Sequence, residues 1–353
     1  MYPPPLASRS LPDLRWPMVG LLLLRGVLSL PAAAVAAPES MPLGESSLLQ
    51  FATVAEGAAV LGAEDEYTRR TSPFDRQARL RTNRAVSEAE HRAFAGRCVI
   101  AWEESERAAV AAALAGIDTR MNELGVSLPP RVLLVKTSGD EEGGAAYTRG
   151  MAVMLPKKML AIPATALRRL LCHELFHVLS RSRPDLRDAL YDAIGFSPCG
   201  DVRLPGDLED RRITNPDAPS SGHAIAVEVD GVSRTVVPVL YSKTMNYDSD
   251  SGAPFFATME FRLMAVRLAG DPPRACALTT NDGAPMLFSP ESVTGFYEQV
   301  GRNTGYIIHP EEILADNFVL LVLREAAQAN PEIVARVGEI IRAHSGVVGP
   351  KAR

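Results

Sequence analysis

The segment over residues 168–179 constrains this chain more than any other. It reads RRLLCHELFHVL, with His173 and His177 four residues apart and Glu174 directly after the first histidine. Its flanks are largely apolar and lack glycine and proline, which predicts a buried helix. Positions four apart share one face of a helix, so both imidazoles can reach one ion. Two imidazoles and a carboxylate in a core are costly unless a partner such as a metal ion satisfies them.

The order of residue types in this segment points to hydrolysis. Zinc held by two such histidines activates a water molecule, and a neighbouring carboxylate takes the proton as the water attacks a carbonyl. The pattern therefore predicts a zinc site with Glu174 as general base. The alternative is a pair of core or surface histidines beside an ordinary helix glutamate. The chain holds only six histidines, so a chance match to the pattern is rare.

A third ligand is expected further along the chain. A catalytic zinc ion usually takes three protein ligands and leaves one position for water. Glu312 and Asp316 are again four residues apart, in a segment predicted to be helical from Pro310 onwards. One acid can bind the metal while the other accepts the second ring N–H of a ligating histidine. We favour Glu312 as the ligand because, unlike Glu311, it has an acid four residues on.

Other interpretations of this segment stay open. Acids in the first turn of a helix that begins with proline are favoured by the helix dipole alone, without any metal. His309 and His223 are alternative third ligands. The longer HExxHxxGxxH pattern is absent, since Ser180 and Arg183 stand where its glycine and third histidine would be.

The HExxH segment followed by a helix with ExxxD resembles the gluzincins, the thermolysin-like zinc peptidases. The resemblance covers two short helices and implies a zincin-like fold that cleaves peptide bonds. Residue by residue, it implies His173, His177 and Glu312 as Zn²⁺ ligands and Glu174 as general base. It also implies that Asp316 orients His173. The long separation of the two helices along the chain makes this a divergent member with a large insertion.

Substrate contacts are predicted next to this site. Zincins bind substrate antiparallel to an edge strand that precedes the active helix, and the run over residues 151–155 is the candidate, with a core strand as the alternative. Charge that develops on a carbonyl oxygen needs a hydrogen-bond donor near the metal. Tyr306 is the favoured donor and counts as a candidate catalytic residue. The alternatives are Tyr147, His223 and His309.

Apolar periodicity and turn residues predict an α+β fold with a small β-sheet, an active-site helix and a helical C-terminal part. The predicted zincin-like domain covers residues 96–348, and residues 199–290 form an insertion that contributes to the cleft wall or a lid. Residues 38–95 are predicted to be a partly ordered N-terminal arm. The predicted helices are 103–124, 166–180, 184–194, 290–300, 310–327 and 331–344, the hairpin strands are 223–229 and 233–241, another strand is 131–135, and the type of 255–268 is ambiguous.

Residues 1–37 are typical of a secretory signal peptide. Arg9 and Arg15 precede an apolar run, and residues 34–36 provide a small-residue cleavage site. Arg25 interrupts the apolar run, so no stable membrane span is expected after cleavage. An uncleaved N-terminal anchor is the alternative. The predicted location is therefore the bacterial periplasm or the cell exterior.

Composition excludes some classes of function. A net charge of −5 does not provide the basic surface that nucleic-acid binding needs. The four cysteines form no C-x-x-C pair, so a cysteine-based structural zinc site is not expected. We expect at most one disulfide, which would involve Cys199.

The sequence thus predicts a secreted or periplasmic zinc metallopeptidase, an endopeptidase that acts on an extended peptide or protein substrate. One alternative is a catalytically silent, zinc-stabilised envelope binding protein, for which Glu174 would have no use. The other is a zinc hydrolase of a non-peptide amide such as cell-wall material. Metal content and peptide cleavage separate these three.

Overall fold

A computed structural model describes residues 39–44, 46–251, 255–325 and 328–345 of the chain. The predicted signal peptide, residues 1–37, lies outside the described residues. Within the described ranges, no helix combines the length and the apolar character that crossing a membrane requires. These ranges form a mixed α+β fold, as predicted.

Helices make up much of the described chain. The α-helices are α1 (Val54–Gly62), α2 (Glu66–Arg70), α3 (Pro73–Leu80), α4 (Glu88–Arg97), α5 (Glu104–Leu114), α6 (Ile117–Leu124), α7 (Ala164–Ser182), α8 (Pro184–Asp192), α9 (Phe296–Val300), α10 (Pro310–Leu323) and α11 (Pro331–His344).

The strands form two sheets. They are β1 (Ser40–Leu43), β2 (Ser47–Phe51), β3 (Arg131–Thr137), β4 (Tyr147–Arg149), β5 (Ala152–Pro156), β6 (Phe196–Pro198), β7 (His223–Val229), β8 (Val232–Ser242), β9 (Met259–Ala269), β10 (Arg274–Ala277) and β11 (Leu287–Phe288). The first sheet has the order β1-β2-β3-β5-β4, with β2, β3 and β5 parallel. The second has the order β10-β9-β8-β7-β6, is antiparallel, and carries β11 on β9.

The prediction of a partly ordered arm over residues 38–95 is corrected by the structure. The described part of that segment forms β1, β2, α1 to α3 and most of α4, and β2 pairs in parallel with β3 inside the first sheet. Leu49 of β2 is fully buried, and Phe51 is 6% exposed. This segment therefore belongs to the sheet that supports the site. Its mixture of alanine, glycine and charge hid strand β2, which pairs with β1 nearby and with β3, a strand distant in sequence.

Glycines divide two of the predicted helices. The predicted helix over 103–124 is two helices, α5 and α6, because Gly116 takes a φ of +88° between them. The predicted helix over 290–300 is shortened to a 3₁₀ turn and α9, separated by Gly295 at a φ of +92°. A positive φ leaves the right-handed helical region, and glycine adopts it without steric cost. The ambiguous run over 255–268 is mostly strand β9.

Other predicted elements are confirmed. The hairpin forms between β7 and β8, and Asp230 and Gly231 both have a positive φ at its turn. This matches the tight two-residue turn that an Asp-Gly pair favours. Helices α7, α10 and α11 lie where helices are predicted, although α10 ends at Leu323, because Arg324 follows in the left-handed conformation.

Helices α7 and α10 pack against each other in the main hydrophobic core. Phe176 of α7 and Phe318 of α10 are fully buried, with ring centroids 5.5 Å apart. Burying two phenylalanine side chains stabilises such a contact by about 1.5–3 kcal/mol each. This packing brings together the two segments that the sequence singles out, which lie far apart along the chain.

Candidate metal centre

The three predicted ligands converge at the α7–α10 interface. Oε2 of Glu312 lies 3.1 Å from Nε2 of His173 and 3.6 Å from Nε2 of His177. All three side chains are buried, and one ligand atom from each lies within 4.8 Å of the others. Two ligands of a tetrahedral zinc ion, each at about 2.0–2.1 Å, lie about 3.3 Å apart. These three atoms therefore have the spacing of neighbouring ligands around one small ion.

A carboxylate orients each imidazole through its other ring nitrogen. Nδ1 of His173 lies 3.0 Å from Oδ1 of Asp316, and Nδ1 of His177 lies 3.0 Å from Oε1 of Glu311. An ionised carboxylate only accepts hydrogen bonds, so the ring nitrogens are the donors. Nε2 of each ring then faces Glu312. While Nε2 of His173 carries a proton, it donates to Oε2 of Glu312 at 3.1 Å, and loss of that proton would leave a lone pair for a metal ion. Paired carboxylates of this kind fix the tautomer of a metal-binding histidine.

Further polar groups hold the carboxylates in place. Glu311 accepts from Ser180 Oγ at 2.7 Å and from the Tyr191 hydroxyl at 2.5 Å. Asn215 Nδ2 donates to Oε1 of Glu312 at 2.5 Å, and the Thr304 hydroxyl donates to Asp316. Because these bonds restrict the carboxylate rotamers, the cluster is organised before any ligand arrives.

The electrostatics of the cluster favour a cation between the three ligands. Burial alone would lower the pKa of His173, but its hydrogen bonds to Asp316 and Glu312 and their charges raise that pKa to about 10. Burial also acts to lower the pKa of His177, whereas the charges of Asp217 and Glu312 raise it to about 9. Burial acts to raise the pKa of Glu312, yet the two histidines hold it below its usual value. Protons are thus the cations with which a metal would compete here.

The hydrogen bonding of one buried atom, Nε2 of His177, indicates whether a metal ion fits this cluster. Nε2 of His177 is fully buried and has no hydrogen-bond partner among the described residues. Nearly all buried polar atoms in folded proteins are satisfied, so an orphan of this kind calls for a ligand. The atom points towards Oε2 of Glu312, where an ion shared with His173 would satisfy it. The donor set of two imidazoles and one carboxylate suits zinc.

Glu174 lies beside this cluster with its carboxylate on a cavity. Its Oε2 accepts from Thr148 Oγ1 at 2.9 Å, and its side chain lines the cavity together with His173 and Glu312. A second group of ligand atoms within 4.8 Å joins Glu174, His177 and Asp217. The carboxylate that the sequence predicts as a base therefore faces open space next to the candidate ion position.

The cavity has a volume of about 560 Å³. Besides His173 and acids of the cluster, it is lined by the buried ion pair of Arg79 and Glu142 and by apolar side chains from several elements. The apolar lining residues include Ala146, Met159, Leu170, Ile213, Leu240, Met259 and Ile308. Ile213, Leu240 and Met259 belong to residues 199–290, so this segment forms part of the cavity wall. A polar cluster at one place in a largely apolar cavity is the usual layout of a small-molecule or substrate site.

Tyr306 also lines this cavity, whereas two of the alternative donors have other roles. Its ring lies 6.4 Å from that of His173, and its hydroxyl has no hydrogen-bond partner among the described residues. Burial raises the pKa of Tyr306 well above its usual value, so it keeps its proton. His309 instead caps α10, where Nδ1 accepts from Glu311 N at 3.1 Å, and His223 lies against Asp188. Neither histidine belongs to a group of metal-ligand atoms within the described residues.

The predicted substrate strand is wrong. Residues 151–155 lie largely within β5, which pairs with β3 on one side and β4 on the other, so the alternative of a core strand is confirmed. The edge strand of the first sheet that contacts α7 is β4. Its outward N–H, at Thr148, already donates to Oδ1 of Asp217 at 2.6 Å, and its carbonyl accepts from Arg181 at 3.4 Å. A peptide cannot add to this edge at Thr148 without displacing these contacts.

Sequence reasoning missed Glu311, Thr148, Asn215 and Asp217. Glu311 was explained by its position at a helix N-terminus, and the other three lie outside both motifs. The only sequence signal for Glu311 is its place beside Glu312. Adjacent residues on a helix point about 100° apart, so one can reach the ion position while the other reaches a ligand from outside.

Glu311→Ala is expected to weaken zinc binding about 10- to 100-fold while leaving the three ligands in place. The change removes the acceptor that holds Nδ1 of His177 and leaves the Ser180 and Tyr191 hydroxyls without a partner. Competition against a zinc-binding dye measures the dissociation constant. Unchanged zinc affinity in a folded variant would show that Glu311 serves only the helix N-terminus.

Comparison of this chain with protein-family models, with curated proteins and with solved structures gave no match.

Proposed function

We propose that this protein is a zinc-dependent peptidase with a zincin-like arrangement of its active-site helix. The observation that supports the proposal best is the convergence of His173, His177 and Glu312, with the unsatisfied Nε2 of His177 pointing at Glu312. Asp316 behind His173 matches the arrangement that the gluzincin resemblance implies. We accordingly propose a divergent gluzincin, with residues 199–290 as its insertion.

Different residues of the chain would have different roles in the proposed hydrolysis. A zinc ion bound here would polarise a carbonyl and activate water for attack. We propose that Glu174 accepts a proton from the attacking water and passes it to the leaving amine; Thr148 holds its carboxylate through Oε2. Tyr306 keeps its proton and lies beside His173, so its hydroxyl can donate to the oxygen on which charge develops.

A catalytic role is favoured over a purely structural one. A structural zinc site usually closes with a fourth protein ligand, whereas the group that contains Glu312 has three among the described residues. A purely structural zinc site also needs no base, whereas the carboxylate of Glu174 lines the cavity beside the proposed ion position. We propose that the substrate is a peptide or protein, and, from the signal-like N-terminus, that the protein acts in the bacterial periplasm or outside the cell.

Metal removal tests this proposal directly. The purified protein is expected to contain about one zinc ion per chain. It should cleave denatured casein or members of a broad peptide panel, lose activity after dialysis against a chelator and regain it when zinc is added. Activity is followed by fluorescence and zinc by atomic absorption. Zinc without cleavage of any peptide would favour the envelope binding protein or a non-peptide amide substrate, and a protein that binds no zinc would contradict all three.

A further inference from the structure

Asp217 carries a carboxylate in the cavity that the proposed chemistry does not use. It belongs to the insertion and lines the cavity beside Glu174. Its Oδ1 accepts from Thr148 N at 2.6 Å, and Arg181 holds its backbone carbonyl at 2.9 Å. Asp217 N donates to Oδ1 of Asn215 at 3.0 Å. The backbone around Asp217 is thus held on several sides, and the carboxylate has a defined position.

Asp217 is not placed to bind the same ion as a further ligand. The group of Glu174, His177 and Asp217 shares only His177 with the group that contains His173 and Glu312. Nδ1 of His177 is engaged by Glu311, so Nε2 is the one ring nitrogen left and can serve a single ion. If that ion lies between His173, His177 and Glu312, Asp217 stands beside it as a separate anionic group.

Within the described ranges, no arginine or lysine side chain pairs with the Asp217 carboxylate, and the imidazole of His177 is its cationic neighbour when it is protonated. No described arginine or lysine lies within 4.0 Å of it, and Arg181 contacts the backbone carbonyl of Asp217 instead. Burial and the charges of Glu174 and Glu312 raise the pKa of this carboxyl group, so its anionic form is favoured only when a positive charge faces it. The proposed zinc ion compensates its ligands, which leaves Asp217 available to a charge on the substrate.

Strand β4, at the edge of the first sheet, cannot bind the substrate backbone at Thr148. The outward N–H of Thr148 is occupied by Asp217 and its carbonyl by Arg181, so backbone pairing with a peptide is blocked there. Side chains in the cavity must therefore provide selectivity near the ion. Among the acids that line the cavity, Glu142 pairs with the buried Arg79, whereas Asp217 neither pairs with an arginine, binds the proposed ion, orients a ligand, nor serves as the base.

We propose that Asp217 recognises a positively charged nitrogen of the substrate next to the scissile bond. The nitrogen belongs either to a free amino terminus or to a lysine or arginine side chain, since both present an N–H donor with a positive charge to the carboxylate. This inference rests on the proposed peptidase function and specifies its substrate class. The proposed peptidase would then prefer substrates with a positive charge next to the scissile bond.

The experiment compares matched peptides on the zinc-loaded protein. One pair has the same sequence with a free or an acetylated amino terminus, and the other places lysine or the uncharged norleucine beside the scissile bond. We expect kcat/KM to be at least about 10-fold higher for the charged member of one pair, which tells the two sources apart. Wild-type protein that cleaves both members of both pairs equally overturns the inference and leaves the peptidase proposal standing.

Variants then assign the preference to Asp217. Asp217→Asn keeps an oxygen for Thr148 N but removes the charge, so the preference should fall to about 3-fold or less, with zinc content unchanged. Asp217→Glu should restore part of it. Asp207→Asn, an exposed aspartate of the same insertion that pairs with Arg211, is the matched control and should keep the full preference. A preference that persists in Asp217→Asn overturns the assignment.

Binding separates failure of this inference from failure of the proposed function. Fluorescence anisotropy measures the dissociation constants of the same labelled peptides on Glu174→Gln, with and without Asp217→Asn, where no cleavage is required. Tighter binding of the charged peptide that depends on Asp217 supports the inference even if wild-type protein cleaves nothing. Equal binding of both members of each pair, or no binding of any peptide, contradicts it.

Discussion

Glu174→Gln is expected to reduce peptide hydrolysis by about 10²- to 10⁴-fold while the zinc content stays the same. Glutamine has the same shape and can still accept from the Thr148 hydroxyl, but it cannot take a proton from the attacking water. Glu174 is not one of the three proposed ligands, so the cluster of His173, His177 and Glu312 should remain able to bind the ion. The measurements are kcat on a cleaved peptide and zinc per chain.

The control for this variant is Glu64→Gln, which changes an exposed glutamate remote from the cavity and should leave kcat unaltered. Full activity of Glu174→Gln would remove the general base from the proposed mechanism. Loss of zinc in Glu174→Gln would instead make Glu174 a ligand, which the second group of ligand atoms around His177 would then explain.

Glu312→Ala is expected to weaken zinc binding by more than about 100-fold, beyond the about 10- to 100-fold expected for Asp316→Ala or Glu311→Ala. It removes the one oxygen that both Nε2 atoms face, and it leaves Asn215 Nδ2 without its acceptor. The two partner variants only loosen the orientation of a histidine. Zinc titration of all three variants in the same buffer gives the order of effects.

Glu332 offers a matched control for the helix-dipole explanation. It is also a glutamate in the first turn of a helix that begins with proline, at the start of α11, and it is exposed. If acids at these positions serve only the dipole, Glu312→Ala and Glu332→Ala should have the same small effect on stability and none on zinc. Equal zinc affinity in the two variants would therefore contradict the ligand assignment.

The two variants together distinguish the three functions. A peptidase loses activity in both Glu174→Gln and Glu312→Ala but loses zinc only in the second. A silent binding protein shows the same loss of zinc with no activity to lose. A hydrolase of a non-peptide amide follows the pattern of the peptidase only when its own substrate is supplied, so cell-wall amides belong in the panel.

Local pattern predicted the elements that carry the motifs. Helix α7, the hairpin of β7 and β8, and helix α11 follow from apolar spacing and from turn residues within a few positions. The breaks at Gly116 and Gly295 were missed because a glycine inside a periodic segment can be tolerated or can end the helix. Strand β2 was missed because its place inside the sheet depends on pairing with β3, about eighty residues further along, as well as with β1.

The candidate site likewise combines residues that the sequence predicted with residues that only the structure revealed. Residue spacing predicted the ligand pair His173 and His177 and the adjacent Glu174, and the second motif predicted Glu312 with Asp316. The side chains that complete the cluster come from elsewhere. Thr148 lies on an edge strand, and Asn215 and Asp217 lie in an irregular part of the insertion, where no periodicity marks a functional residue.

The sequence by itself determined that two imidazoles and an acid lie on one helix, because positions four apart on a helix share a face whatever surrounds them. Only the tertiary structure decided which acids face them. The packing of α10 on α7 sets the rotation of α10 about its axis, so that Glu312 points between the histidines and Glu311 points at Nδ1 of His177. The packing of the insertion placed Asp217 beside Glu174. Such contacts between distant segments depend on the whole core, which no local pattern encodes.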